Sequence, residues 1–280
     1  MLRSLASIAL AAGAGYGVAR TVMVLRGALP GSARLERPNH RGDTVTLLEG
    51  PAYAAGALAG IAAGTDGRVA AAAATATSCA AVLGAVDDLA DRGDSKGFRG
   101  HLRALSEGRV TTGLLKVAGI GAAGLGASAI LLTGGRPPAA RASGAVAGAA
   151  DVLVSGALIA GSANLVNLLD LRPGRALKAG YLAILASGGG LRPAPLVAAA
   201  AGAGAAVLPD DLAGRSMLGD CGANALGALL GVHAVLSRTP RSRAVLLAGI
   251  VAATAASERI SFTRVIESTP VLRELDALGR

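Results

Sequence analysis

The sequence predicts an all-α fold, a polytopic integral-membrane helical bundle of about nine to ten transmembrane helices, and three observations carry that expectation. Hydrophobic residues make up 52% of the 280, charged residues only 16%, and the mean hydropathy is +0.54, too apolar for a water-soluble domain of this length. Apolar stretches recur along the whole chain, and the linkers between them are too short for a separate soluble domain. Polar patches bearing carboxylates interrupt those stretches, and each patch falls at the same end of its stretch. Residues 1–280 are therefore expected to form one membrane domain.

A transmembrane helix needs roughly 20 mostly apolar residues, and nine stretches approach that length. The first, 5–25, is longer than the apolar part of a secretory signal and is broken by Arg20, so it reads as a retained helix. The second, 50–63, is short and dense in Ala and Gly. Residues 69–86 run into the patch Asp87-Asp88-Leu89-Ala90-Asp91. The fourth, 113–133, has close glycines over 119–126; no strand precedes them, so they read as helix packing rather than a nucleotide loop. The fifth, 143–168, ends in Asn164-Leu165-Val166-Asn167-Leu168-Leu169-Asp170. Stretches 176–188 and 195–208 are short, 217–237 opens with Met217-Leu218-Gly219-Asp220-Cys221-Gly222, and 244–257 is short again. The short stretches are expected to be tilted or partly re-entrant. Abundant small residues suit close backbone approach in a membrane bundle. Trp is absent, with three Tyr and two Phe, so no aromatic belt marks the interfaces.

Alternating nine spans collects seventeen Lys and Arg on one side, including Arg26, Arg172 and Arg215, against eight on the other, including Arg136 and Arg243. The richer side is expected to be cytoplasmic, and every polar patch lies on it. The net charge of +9 then reads as topology and contact with anionic lipid and phosphate, and no nucleic-acid motif accompanies it. Cys79 and Cys221 are too isolated for a metal site and poorly placed for a disulfide.

Acids at the edge of a bilayer are costly unless they meet a cation, a polar ligand or water. Asp87 and Asp91 share a helix face, with Asp88 about 100° away, so a cation and a phosphate could be approached from adjacent directions. Mg²⁺ suits such a place, because one or two carboxylates commonly hold it together with substrate phosphates and water. Asn164, Asn167 and Asp170 form a helical stripe that could equally hydrogen-bond neighbouring helices. Asp151 lies away from the patches and reads as an interhelical partner. His101 reads as a loop residue and His233 as a packing residue.

Three of these patches together resemble the polyprenyl-phosphate N-acetylhexosamine-1-phosphate transferases, the MraY/WecA-like membrane family. Gly84-Ala85-Val86-Asp87-Asp88-Leu89-Ala90-Asp91 looks like its double-aspartate motif, and 164–170 like its Asn-x-x-Asn-x-x-Asp motif. The stretch 217–227 is similar to its Met-Gly-Asp-x-Gly-Ser-x-x-x-Gly sequence, and the three come in order. The chain departs from the family in Asp170-Leu171-Arg172-Pro173-Gly174, where Asp-Gly-x-x-Gly is usual, in Ala223 for Ser, and in having no His after Pro240.

The resemblance implies transfer of a sugar-1-phosphate from a nucleotide-sugar, of UDP-N-acetylhexosamine type, to a polyprenyl phosphate at the cytoplasmic face of the cell membrane, with Mg²⁺, for envelope glycan assembly. It implies Asp220 as first metal ligand with Asp88 or Asp87 beside it, and Asp87, Asp88 and Asp170 as catalytic carboxylates. Asn164, Asn167, Lys96, Lys116, His40 and Gly222 become candidate substrate contacts. Direct displacement and a covalent aspartyl route both stay open, and Arg259 and Arg264 are candidate diphosphate contacts in place of the absent histidines. Membrane lipids are expected partners and a homodimer a candidate assembly. A catalytically silent scaffold or lipid-binding relative is the alternative; a transporter ranks last, because its charges would sit at mid-membrane.

Overall fold

In the computed structural model, residues 2–28, 31–38, 42–90, 106–108, 111–133, 145–187 and 194–280 are described. Each of the nine apolar stretches is a helix: α1 Leu2–Val24, α2 Glu49–Gly64, α3 Gly67–Ala90, α4 Thr112–Thr133, α5 Ala145–Leu169, α6 Arg175–Ala186, α7 Ala194–Leu212, α8 Gly219–Ser237 and α9 Pro240–Ser257. Two short helices close the chain, α10 Phe262–Ser268 and α11 Pro270–Ala277. Among the described residues four helices, α1, α3, α4 and α5, are long and apolar enough to cross a membrane alone. Helices α9 and α10 make a fifth candidate, broken by a 96° bend. Helices α2 and α6, with 16 and 12 residues, are too short to do so upright.

Helix α8 is the axis of the bundle. It packs on α2, α3, α5, α6 and α7, and Leu226, Leu229 and Val232 on it are buried. Around it α1 packs on α2 and α7, α4 on α3 and α5, and α9 on α5. The interior is built mainly of alanine; Tyr53 is its one fully buried aromatic among the described residues. Small side chains let helix backbones meet: a Cβ at Gly60 of α2 would lie 2.6 Å from Ala199 Cβ of α7. Large apolar residues instead point outward, as with Leu10, Val82, Leu115, Leu153, Val245 and Val251. That inside-out distribution fits a chain embedded in lipid.

One element departs from an all-helical reading. Residues Glu36–Pro38 (β1) and Thr44–Thr46 (β2) pair antiparallel, with Arg37 opposite Val45. The hairpin is pinned to the loop before α8, since Met217 N–H donates to Thr46 O at 3.1 Å and Thr46 N–H to Arg215 O at 3.3 Å.

At the other end of the bundle Asp151 of α5 meets Arg243 of α9, the Arg243 Nη1 lying 2.8 and 2.9 Å from the two carboxylate oxygens. Asp151 is thus an interhelical partner, and Arg243 belongs to the packed interior rather than to a loop. Asp151→Asn removes the counter-charge of a buried guanidinium and is expected to cost about 3 kcal/mol. It should lower the melting temperature in detergent while leaving any activity per folded molecule intact.

Candidate functional site

The three motifs meet at the first turn of α8. A helix begins with N–H groups that have no partner inside the helix, and here two aspartates from other helices supply partners. Gly219 takes φ +60, open to glycine without strain, and turns the chain into α8. Its N–H donates to Asp170 from the end of α5. Asp220 N–H donates to Asp88 Oδ1 and Cys221 N–H to Asp88 Oδ2, both at 3.0 Å, from the end of α3. Asp88 and Asp170 therefore cap α8 and fasten α3 and α5 to it. Gly84, one turn before Asp88, lets α3 lie directly on this turn; a Cβ there would be 2.7 Å from Cys221 N.

With Asp88 engaged by backbone, Asp220 and Asp87 are left facing one cation. Lys116 Nζ on α4 lies 2.6 Å from Asp87 Oδ2 and also contacts Asp220 Oδ2. Thr112, one helical turn earlier on the same face of α4, hydrogen-bonds Asp87 as well. Asp87 and Lys116 side chains are 15% and 14% exposed and Asp220 is 26% exposed, so the centre is sheltered yet reachable. Two carboxylates converging on one positive charge are the donor set Mg²⁺ accepts when phosphate oxygens and water fill its other positions. Among the described residues no group of three His, Cys, Asp or Glu side chains comes together as a ligand set. Asp87 and Asp220 would hold the ion by themselves, with Lys116 displaced toward substrate.

The remaining expected site residues separate. Asn167 lies one turn before Asp170 and is half-buried, with no side-chain hydrogen bond among the described residues. Asn164 is turned to α9, its Nδ2 donating to Thr254 Oγ1 at 3.4 Å, which makes it a helix-packing contact. Gly222 is a crossing point rather than a substrate contact: a Cβ on it would lie 2.8 Å from Gly50 Cα, so α2 already fills the space. Asp88 uses both oxygens on α8, and a metal would have to share it with those two N–H groups. His40 and Lys96, with Asp91 and His101, lie outside the described residues. Arg259 and Arg264 are exposed.

Several acids at this end were not singled out from sequence. Glu49, at the start of α2, is buried, and its Oε2 accepts from Ser216 Oγ at 2.5 Å. Asp210 and Asp211, at the end of α7, are buried beside it. Burial first, and then the Asp211 charge, push the Asp170 carboxyl well above the usual carboxylate range against the pull of the Gly219 N–H. The readable signal was Pro209-Asp210-Asp211, a second acid pair at the end of an apolar stretch.

The chain's last turns are latched to the loop after Asp170. Arg175, itself buried, grips Asp276 with Nε at 2.8 Å and Nη2 at 2.9 Å and donates to Thr263 Oγ1 at 3.0 Å. Arg280 adds Nη2 to Asp276 at 2.8 Å and Nε to Pro173 O at 2.9 Å. Burial works against the Asp276 carboxylate, but the Arg175 hydrogen bond and charge, with Arg280, outweigh it and hold its pKa below the ordinary 3.8. A folded value below the unfolded one means the latch stabilises above the ordinary value and is lost as pH falls through the folded one. Limited proteolysis should find residues after Ser257 protected at pH 7 and cut only once the pH has fallen below the ordinary 3.8, with Asp276→Asn exposing them at neutral pH.

The same end of the bundle thus gathers a sheltered carboxylate–ammonium centre and, apart from it, arginines paired with Asp210 and Asp276. No protein-family model matches this chain, and no curated protein matches it.

Proposed function

We propose that this chain is a membrane-embedded, Mg²⁺-dependent transferase that moves a sugar-1-phosphate from a nucleotide-sugar to a polyprenyl phosphate. The observation that carries the reading is the meeting of Asp87, Lys116 and Asp220 at the first turn of α8, which brings together two motif segments far apart in sequence, while Asp170 of the third docks on the same turn. Two anions must approach each other in this reaction, and an ammonium between two carboxylates is built to trade partners with them. Bound between Asp87 and Asp220, Mg²⁺ would offset the charge that develops on the diphosphate. Lys116, released from one carboxylate, pairs a phosphate oxygen. Asp87 takes the proton of the lipid phosphate, whose oxygen then bonds to the sugar-bearing phosphorus while the bond to the nucleoside monophosphate breaks. Asn167 orients the donor beside it. In this reading the end faces the cytoplasm of a cell-membrane protein, the side that the excess of Lys and Arg in the loops favours.

The test is purified protein with polyprenyl phosphate, Mg²⁺ and a panel of labelled UDP-N-acetylhexosamines. Label passing into the lipid fraction only when Mg²⁺ is present supports the reading; none with any donor, from folded protein, ends it. One observation favours the scaffold alternative: Lys116 satisfies both acids internally, as a purely structural ion cluster would. A scaffold predicts that Lys116→Met lowers stability and that no donor is ever consumed.

A further inference from the structure

At the rim of the same end, three arginines surround one carboxylate. Asp210 Oδ1 receives Arg215 Nε at 2.9 Å and Nη2 at 2.8 Å, Arg26 Nη1 stands 3.7 Å from the same oxygen, and Arg20 Nη1 is 3.3 Å from Oδ2. One carboxylate needs one guanidinium. The second and third stay close together against their mutual repulsion, and all three are about half exposed, with side chains 45%, 45% and 56% accessible for Arg20, Arg26 and Arg215. Among the described residues Arg26 has no other acidic partner.

Arg26 and Arg215 open onto a cavity of about 300 Å³ between the end of α1, the hairpin and the loop before α8. Ser32, Thr44 and Thr46 line it with hydroxyls, and Glu36 is the one acid among its lining residues. Thr46 Oγ1 accepts from Leu48 N–H, which leaves its own hydrogen to donate. Guanidinium forks with hydroxyl donors in a concave place recognise tetrahedral oxyanions. Around its mouth three guanidinium groups share the single carboxylate of Asp210, and each keeps about half of its side chain open to a further anion.

We infer that the Arg26/Arg215 cavity is a binding site for a phosphate ester, separate from the Asp87–Lys116–Asp220 centre. The apolar surface beside the opening favours the headgroup of an anionic lipid over free phosphate. Val24 and Leu25, next to Arg26, are exposed and apolar, and α1 continues below them with exposed Val18 and Leu10, a path along which acyl chains can lie. The site does not depend on transfer chemistry, because its readout is binding.

Calorimetric titration of the full chain in neutral detergent tests it, with dihexanoyl phosphatidic acid, dihexanoyl phosphatidylcholine and inorganic phosphate as probes. Saturable binding of phosphatidic acid, weakened tenfold or more by Arg26→Gln and further by Arg26→Gln/Arg215→Gln, is the expected result. Inorganic phosphate competing at equal concentration would keep the site and name free phosphate as its ligand; phosphatidic acid alone would name the lipid. Arg26→Gln decides if the double variant fails to fold, since its 3.7 Å contact contributes little to the fold. Binding that Arg26→Gln leaves unchanged, or that phosphatidylcholine matches, overturns the inference, as does the absence of saturation.

Discussion

Asp220→Asn is expected to lower sugar-phosphate transfer by roughly 10²–10³-fold, the scale of losing one well-placed electrostatic group in a catalytic site, while the protein still folds. Asparagine keeps the size of the side chain and leaves the Asp220 N–H on Asp88, so the start of α8 is undisturbed. Lys116 retains Asp87 as a partner at 2.6 Å, and the change in stability should stay within about 1 kcal/mol. What disappears is half of the carboxylate pair that would face Mg²⁺. Turnover and melting temperature measured on the same preparation separate the roles: a drop in melting temperature with transfer per folded molecule unchanged would make Asp220 a structural residue.

Gly84→Val is expected to prevent the bundle from assembling. A Cβ on Gly84 would contact Asp220 O and stand 2.5 Å from Asp220 C and 2.7 Å from Cys221 N, all backbone atoms that cannot move aside. Helix α3 would have to swing away from α8, taking Asp88 off the two N–H groups it caps and Asp87 off Lys116. Overpacking of this kind costs about 3 kcal/mol or more once rigid backbone is the obstacle, and the lost cap adds about 1 kcal/mol. Size-exclusion chromatography in detergent should show the variant aggregated, whereas Gly121→Ala on α4, where a Cβ meets nothing within 4 Å, should elute as the parent does. A monodisperse Gly84→Val protein with the parent's melting temperature would contradict the close α3–α8 contact.

The helices were legible because length and apolarity alone decide whether a stretch can bury its backbone polar groups in lipid. Which helices stand next to each other is a matter of partner choice, and sequence period does not encode it. Asp88 and Asp87 show the difference: adjacent in sequence and alike in chemistry, one caps α8 and the other meets Lys116, a division set by the 100° between them and by where α8 begins. Asn164, one turn before Asn167 in the same motif, is taken up by Thr254 of α9. Lys116 could be named from sequence only through a family resemblance, since its acids lie on two other helices. The Arg175–Asp276 latch joins residues about a hundred positions apart, and nothing in either segment announces the other. The hairpin did have a local signal in Thr44-Val45-Thr46, β-branched residues after Gly42, which the strong helical pattern around it obscured.

The nucleotide released tests the chemistry at Asp87, Lys116 and Asp220 most directly. With polyprenyl phosphate, Mg²⁺ and the accepted UDP-sugar, phosphosugar transfer predicts one UMP for each lipid-linked sugar formed, and almost none of either from Asp220→Asn. Release of UDP would mean that the sugar moves without its phosphate, and folded protein that releases no nucleotide from any donor would mean that this centre holds helices together and does no transfer.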